Sequence, residues 1–166
     1  MDLKNIQRGR ISMYVKKYPK AKFYSKKNPW SVPCHVAIPC ATQNELTESD
    51  AKVLIKNGLT TIGEGANMPC TPEAIKAFKS NQILYAPGKA SNAGGVAVSG
   101  LEMAQNSLRS TWSRDYVDGK LKDIMSEIHS SCLEYGKEKN HIDYLKGANI
   151  AGFIKVADAM LAQGVV

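Results

Sequence analysis

The sequence predicts an α/β fold: a partial Rossmann-like parallel sheet within residues 1–93, followed by a C-terminal helical segment over 94–166. Three observations carry that expectation. In the first half, short apolar runs bounded by Pro and polar residues alternate with amphipathic segments, and the connections are too short to join anything but neighbours. Two of the amphipathic segments have marked helix starts. From about Gly94 onward no strand pattern occurs, and three helix-length segments follow.

Residues 1–28 are compatible with a helix, because Leu3, Ile6, Ile11, Met13, Tyr14 and Val15 are spread through them at mixed spacings. "AKFYS" (21–25) and "HVAIP" (35–39) read as strands. In "LTESDAKVLIKNG" Thr47 is a plausible N-cap, Asp50 occupies the capping-box position three residues on, and Gly58 lies just past the end. "LTTIGEG" (59–65) is a further strand running into glycines. "TPEAIKAFKSN" starts with Thr71 as N-cap and Pro72 at the first helical position, where the missing N–H costs nothing. "QILYAP" (82–87) completes about four strands. In residues 116–136, Val117, Leu121, Ile124, Met125, Ile128, Cys132 and Tyr135 recur at steps of three and four, which makes a one-faced helix. The last segment, "GANIAGFIKVADAMLAQGV", is apolar on nearly all sides and is expected to be buried in the body or against a partner.

Composition bounds the function. At 166 residues and 18.1 kDa, with 43% hydrophobic and 22% charged residues, the chain has the make-up of one globular domain. No apolar run approaches the roughly 18–20 residues of a membrane helix, and the N-terminal stretch lacks the apolar core of a secretory signal. A soluble, cytoplasmic protein is expected. Cys34, Cys40, Cys70 and Cys132 show no CxxC spacing and are expected to be reduced and semi-buried. The net charge of +7 is local: nine of the 22 Lys and Arg, against the single acid Asp2, lie in residues 1–28. Such an end can contact phosphates, but charge runs are more often solvated faces, and nucleic acid is not expected as a partner.

In parallel α/β sheets, ligands bind where the chain leaves a strand. The stretches "SKKNPW", "PCATQNE", "GEGANMP" and "APGKASNAGG" all follow expected strands, and three are rich in Gly, Asn, Thr or Gln. Those residues combine close backbone approach with side-chain donors and acceptors, which suits the ribose hydroxyls and carboxamide of a nucleotide. Asn and Gly are also the commonest turn formers; three such loops on one edge favour the ligand reading. Other chemistries fit less well. His35, His129 and His141 have no metal-site spacing, Ser99 has no GxSxG elbow, and "GKA" at 88–90 lacks the Walker pattern. Glu64 and Glu102 have no evident partner acid.

The motifs "PCATQNELT", "EGANMPCTPEA", "APGKASNAGGVAVSGLEMAQN" and "GANIAGFIKVADAMLAQGV" closely resemble the C-terminal portion of hexameric glutamate dehydrogenases, especially the microbial type that commonly uses NADP. The similarity runs from about residue 28 to the end. It implies enzymes that interconvert glutamate with 2-oxoglutarate and ammonia by hydride transfer to a nicotinamide cofactor, with NAD as the alternative to NADP, and a homohexameric assembly. By the same resemblance, Asn67 and Asn92 match asparagines near the nicotinamide and its ribose. Ala41 and Thr42 lie where the family passes the adenosine half, and Ser99 corresponds to a serine that binds the side-chain carboxylate of glutamate. The family's catalytic lysine and aspartate, its substrate-clamping lysines and its Gly-rich fingerprint precede the matched region. The resemblance therefore implies a fragment without catalytic residues or a metal, inactive alone, whose helices return toward a substrate domain that it lacks. His35 stands where the family commonly has an acid, and Cys70 where it commonly has threonine. The other reading is a free-standing nucleotide-binding or polyanion-interacting module.

Overall fold

A computed structural model of the chain describes residues 2–164; Met1, Val165 and Val166, the last two belonging to the expected 94–166 segment, lie outside the described residues. The N-terminal stretch does not make the helix that its composition allows. It breaks into single turns at Asp2–Ile6 and Ile11–Met13 and a four-residue helix α1 (Tyr14–Lys17). The mixed apolar spacing gives no continuous face to bury, Arg8 is left-handed at φ 50, and no residue from 2 to 29 is buried. The strand expected at 21–25 is also absent. Phe23 and Tyr24 are exposed there, so this segment has neither a ladder partner nor a buried face, and an extended run without either has nothing to hold it.

Three short strands form one parallel sheet in sequential order: β1 (Val36–Ala37), β2 (Thr61–Gly63) and β3 (Leu84–Ala86). Val36 pairs with Thr61, and Ile62 lies between Ala37 and Tyr85. Each is shorter than its apolar run. For β1 the cause is the flanking Pro33 and Pro39, which supply no N–H to a ladder.

Helix α2 (Glu48–Lys56) joins β1 to β2, and α3 (Pro72–Ser80) joins β2 to β3. Their starts are the expected ones. The Thr47 hydroxyl accepts from the Asp50 amide at 3.4 Å while Asp50 Oδ2 accepts from the Thr47 amide at 3.0 Å, a closed capping box. The Thr71 hydroxyl accepts from the Ala74 amide at 3.3 Å, with Pro72 next to it. Gly58 ends α2 at φ 92, a conformation that glycine adopts without strain. Inward faces of the two helices, Ala51 and Leu54 on α2 and Ala74 and Phe78 on α3, close on Ile62, Leu59, Ile83 and Tyr85. Burying a side chain such as Phe78 or Leu54 contributes about 1.5–3 kcal/mol, so this small cluster fixes the sheet and with it the loops at its edge.

After β3 the elements of the described residues are all helices: α4 (Gly88–Ser91), α5 (Gly94–Ser107), α6 (Arg114–Gly136) and α7 (Tyr144–Gln163). The predicted apolar stripe of α6 is the inward one, with Cys132 buried and Val117, Leu121, Ile124, Met125, Ile128 and Tyr135 half-buried. Helices α6 and α7 form an antiparallel hairpin closed by the Lys137–Ile142 bridge. They approach so closely that a Cβ on Gly147 would overlap the Cys132 carbonyl. Helix α7 also rests on β3, with Leu145 against the core. Of the two ways in which α7 is expected to be covered, burial in the body of this chain is not the one found: only Gly147 is buried, and Phe153 and Leu161 are 71% and 81% exposed, which leaves cover by a partner. An all-round apolar helix needs cover on every side, and here α6 and β3 supply only part of it.

Candidate functional site

The loops that leave β1, β2 and β3 are stitched together at one edge of the sheet. The Pro39 carbonyl, just past β1, accepts from the amides of Gly65 and Ala66, both at 3.0 Å. Further along, the Asn44 amide donates to the Met68 carbonyl and the Leu46 amide to the Pro69 carbonyl, each at 3.0 Å. On the other side, the Ser91 hydroxyl donates to the Glu64 carbonyl at 2.6 Å, joining α4 to the β2 loop. This follows from the parallel topology, which puts every strand exit at the same end.

At the junction of the β2 and β3 loops, Asn67 and Asn92 meet. Asn92 Nδ2 donates to the Asn67 Oδ1 at 2.8 Å and to the Ala66 carbonyl at 3.2 Å. The backbone carbonyl fixes which way the Asn92 carboxamide is turned, and that in turn requires Asn67 to present its oxygen. The Asn67 carboxamide nitrogen and the Asn92 carboxamide oxygen then have no partner among the described residues. One donor beside one acceptor matches a primary carboxamide or a pair of vicinal hydroxyls. A nicotinamide ribose fits that donor set.

Beneath the pair lies Glu64, the one buried charged side chain among the described residues, 4% exposed. Its Oε2 accepts from the Gly88 amide at 2.8 Å and its Oε1 from the Cys70 amide at 3.3 Å. Burial, and then the Glu64 charge and hydrogen bond, push the Tyr85 hydroxyl and the Cys70 thiol well above their ordinary ranges, so both stay protonated. Sequence reasoning passed over Glu64 for want of a partner acid. The available signal was its place, an acid set between two glycines at the end of an apolar strand.

The other expected site residues are placed less tightly. Ala41 and Thr42 are exposed on the β1 loop, where the Ala41 amide donates to Glu45 Oε1 at 2.8 Å. Ser99 is exposed two turns along α5 from Asn92, and its hydroxyl donates back to the Gly95 carbonyl at 3.3 Å. No hydrogen bond among the described residues joins Ser99 to the asparagines. A Cβ on Gly94 would press on Leu121 at 3.3 Å, which gives that glycine a packing reason, whereas Gly95 faces nothing within 4 Å. A hollow of about 1060 Å³ among residues 2–18 and another of about 380 Å³ between α2 and α3 include none of the five expected site residues. Of the cysteines, Cys70 and Cys132 are buried and Cys34 half-buried, but Cys40 is exposed, contrary to expectation, because it sits on the outer turn after Pro39.

The fold and its loop edge define a class: open parallel α/β domains that take ligands at the exits of their strands. The chain belongs to the Glutamate/Leucine/Phenylalanine/Valine dehydrogenase family, whose model matches residues 1–164. It is 57% identical over 166 residues to the NAD(P)-specific glutamate dehydrogenase of Xylanibacter ruminicola, covering 99% of this chain and 37% of that protein. With the NADP-specific glutamate dehydrogenase of Salmonella typhimurium it shares 53% identity over 165 residues, again 99% of this chain and 37% of the relative. The crystal structure of Plasmodium falciparum glutamate dehydrogenase superposes with a TM-score of 0.92 at 52% identity, covering all of this chain and 36% of that one. The chain thus spans a little over a third of the length of the relatives it matches.

Proposed function

We propose that this chain supplies the nicotinamide-side loops and terminal helices of a glutamate dehydrogenase. That enzyme interconverts L-glutamate with 2-oxoglutarate and ammonia, with NADP as the dinucleotide and NAD as the alternative. Residues 1–93 form the partial nucleotide-binding part, and 94–166 form the helical segment that turns toward a substrate domain. The observation that carries the reading is the Asn67–Asn92 bond of 2.8 Å where the strand-end loops converge.

The dinucleotide, when bound, supplies the hydride acceptor. Asn67 and Asn92 hold its nicotinamide end through their open donor and acceptor, and Ala41 and Thr42 take the adenosine half on the β1 loop. Ser99 exchanges its weak 3.3 Å bond to the Gly95 carbonyl for one to the substrate's side-chain carboxylate. None of these groups can take the proton from the substrate's α-amino nitrogen or activate the water that hydrolyses the imine, so turnover needs acid–base groups outside this set, which the family resemblance gives as a lysine and an aspartate. The chain alone is expected to bind and not to turn over. A homohexamer in the cytoplasm is the setting that goes with this reading, and the relatives lend no support to a polyanion-binding module.

Titration of NADPH into the isotope-labelled chain, followed by amide NMR, tests the assignment. Saturable shifts at Ala41, Thr42, Asn67 and Asn92, with no 2-oxoglutarate formed when glutamate and NADP are added, are expected. Shifts confined to other parts of the chain, or none, would overturn it.

A further inference from the structure

The geometry points to Glu64 as a positioning residue that sets the Asn67–Asn92 carboxamide pair by tying together the two loops that carry it. The inference rests on the proposed function only for the identity of the ligand. Each carboxylate oxygen serves a different loop: Oε1 accepts from Cys70 N–H, at the end of the segment holding Asn67, and Oε2 from Gly88 N–H, in the first turn of α4. Helix α4 ends at Asn92, its C-cap. The Glu64 carbonyl accepts from Ser91, one residue before Asn92. Both ends of α4 are therefore hung on one residue, and Asn92 reaches Ala66 and Asn67 only because α4 is held there.

Packing alone gives no reason for a carboxylate at this place. A buried acid is costly unless several donors surround it, and an apolar side chain of equal size would fill the space at less cost. What an apolar side chain cannot do is accept from two backbone amides on separate loops. Gly88 fits the same account, since a Cβ there would press on Glu64 Oε2 at 3.3 Å and the Ala66 carbonyl at 3.2 Å.

Glu64→Gln tests this in the full 166-residue chain, because the amide keeps the volume and one acceptor but turns a donor toward one of the two N–H groups. In the ligand-free variant, the side-chain carboxamide NMR signals of Asn67 and Asn92 are expected to move to the positions of free asparagine. NADPH is expected to bind about tenfold more weakly, the effect of losing about one hydrogen bond. Phe78→Leu, which destabilises the core without touching the carboxylate, should leave both readouts as in the wild type. Unchanged carboxamide signals in Glu64→Gln, or equal changes in Phe78→Leu, would overturn the inference in favour of a merely structural acid. A wild-type chain that does not bind NADPH sinks the cofactor assignment instead, and the ligand-free signals still decide the role of Glu64. If Glu64→Gln does not fold, hydrogen exchange in the wild type decides. The Gly88 and Cys70 amides should be protected about 100-fold or more, and exchange at the rate of an open loop counts against the tie.

Discussion

Asp143 caps α7 and ties it to α3. Its carboxylate accepts from the Lys146 amide at 3.0 Å and meets the Lys79 ammonium, on α3, at 2.9 Å. Burial pushes its pKa up, but the Lys146 amide and Lys79 outweigh that and hold it below the ordinary 3.8. A depressed folded value means that the stabilisation is complete above the unfolded pKa and is lost as pH falls through the folded one. The cap contributes about 1 kcal/mol; the ion pair adds little, since the Lys79 side chain is 43% exposed. Asp143→Ala should therefore lower stability in urea by about 1 kcal/mol at pH 7, and the gap to the wild type should narrow in acid. A gap that persists undiminished below pH 3 contradicts this account. The same residue scale shows where sequence reading works. Thr47, Asp50, Pro72 and Gly58 could be assigned because a cap is a local device of fixed spacing, while Glu64 could not, because its two amide partners lie six and 24 residues away.

At the scale of elements, the helix hairpin depends on a contact that pattern does not reveal. The apolar stripe of α6 was legible from its three- and four-residue steps, but nothing in that periodicity says which residue of α7 meets it. The structure names Gly147, seated on the Cys132 backbone so closely that an added Cβ would strike the carbonyl. Gly147→Ala is expected to cost about 1–3 kcal/mol or more, because the obstacle is backbone and cannot rotate away. Gly152 sits on the same helix with nothing within 4 Å of where its Cβ would be. There Gly152→Ala should stabilise by about 0.5–1 kcal/mol through helix propensity alone. Thermal denaturation of the two variants checks the pair; equal effects would mean that the hairpin is not held by this crossing. The strands show the complementary limit. The runs at 35–39, 59–65 and 82–87 became β1 to β3 because each found a neighbour, and 21–25 did not because pairing is not a property of a segment.

At the scale of the whole molecule, the surface is unevenly finished. Val96, Met103 and Leu108 on or beside α5 and Phe153, Val156, Met160 and Leu161 on α7 are all more than half exposed. No helix of the described residues is long and apolar enough to cross a membrane. Cover for these side chains is expected from other protein surface, one of the two settings that the composition of the last segment implies. What the sequence could not convey is which faces the chain covers by itself, since that depends on how much of the hairpin β3 can carry. Two attractions could draw copies of the chain together. One is apolar burial at these helices; the other is the basic N-terminal stretch meeting acids elsewhere. Salt separates them, because it screens exposed charges over about 10 Å at 0.1 M and leaves apolar burial intact or strengthened. The chain is expected to self-associate at micromolar concentration in sedimentation experiments, to remain associated in 0.5 M salt, and to become monomeric on combined Phe153→Ser and Leu161→Lys substitution. Dissociation by salt alone, with no effect of the double substitution, would place the contact at the N-terminal charges instead of the terminal helix.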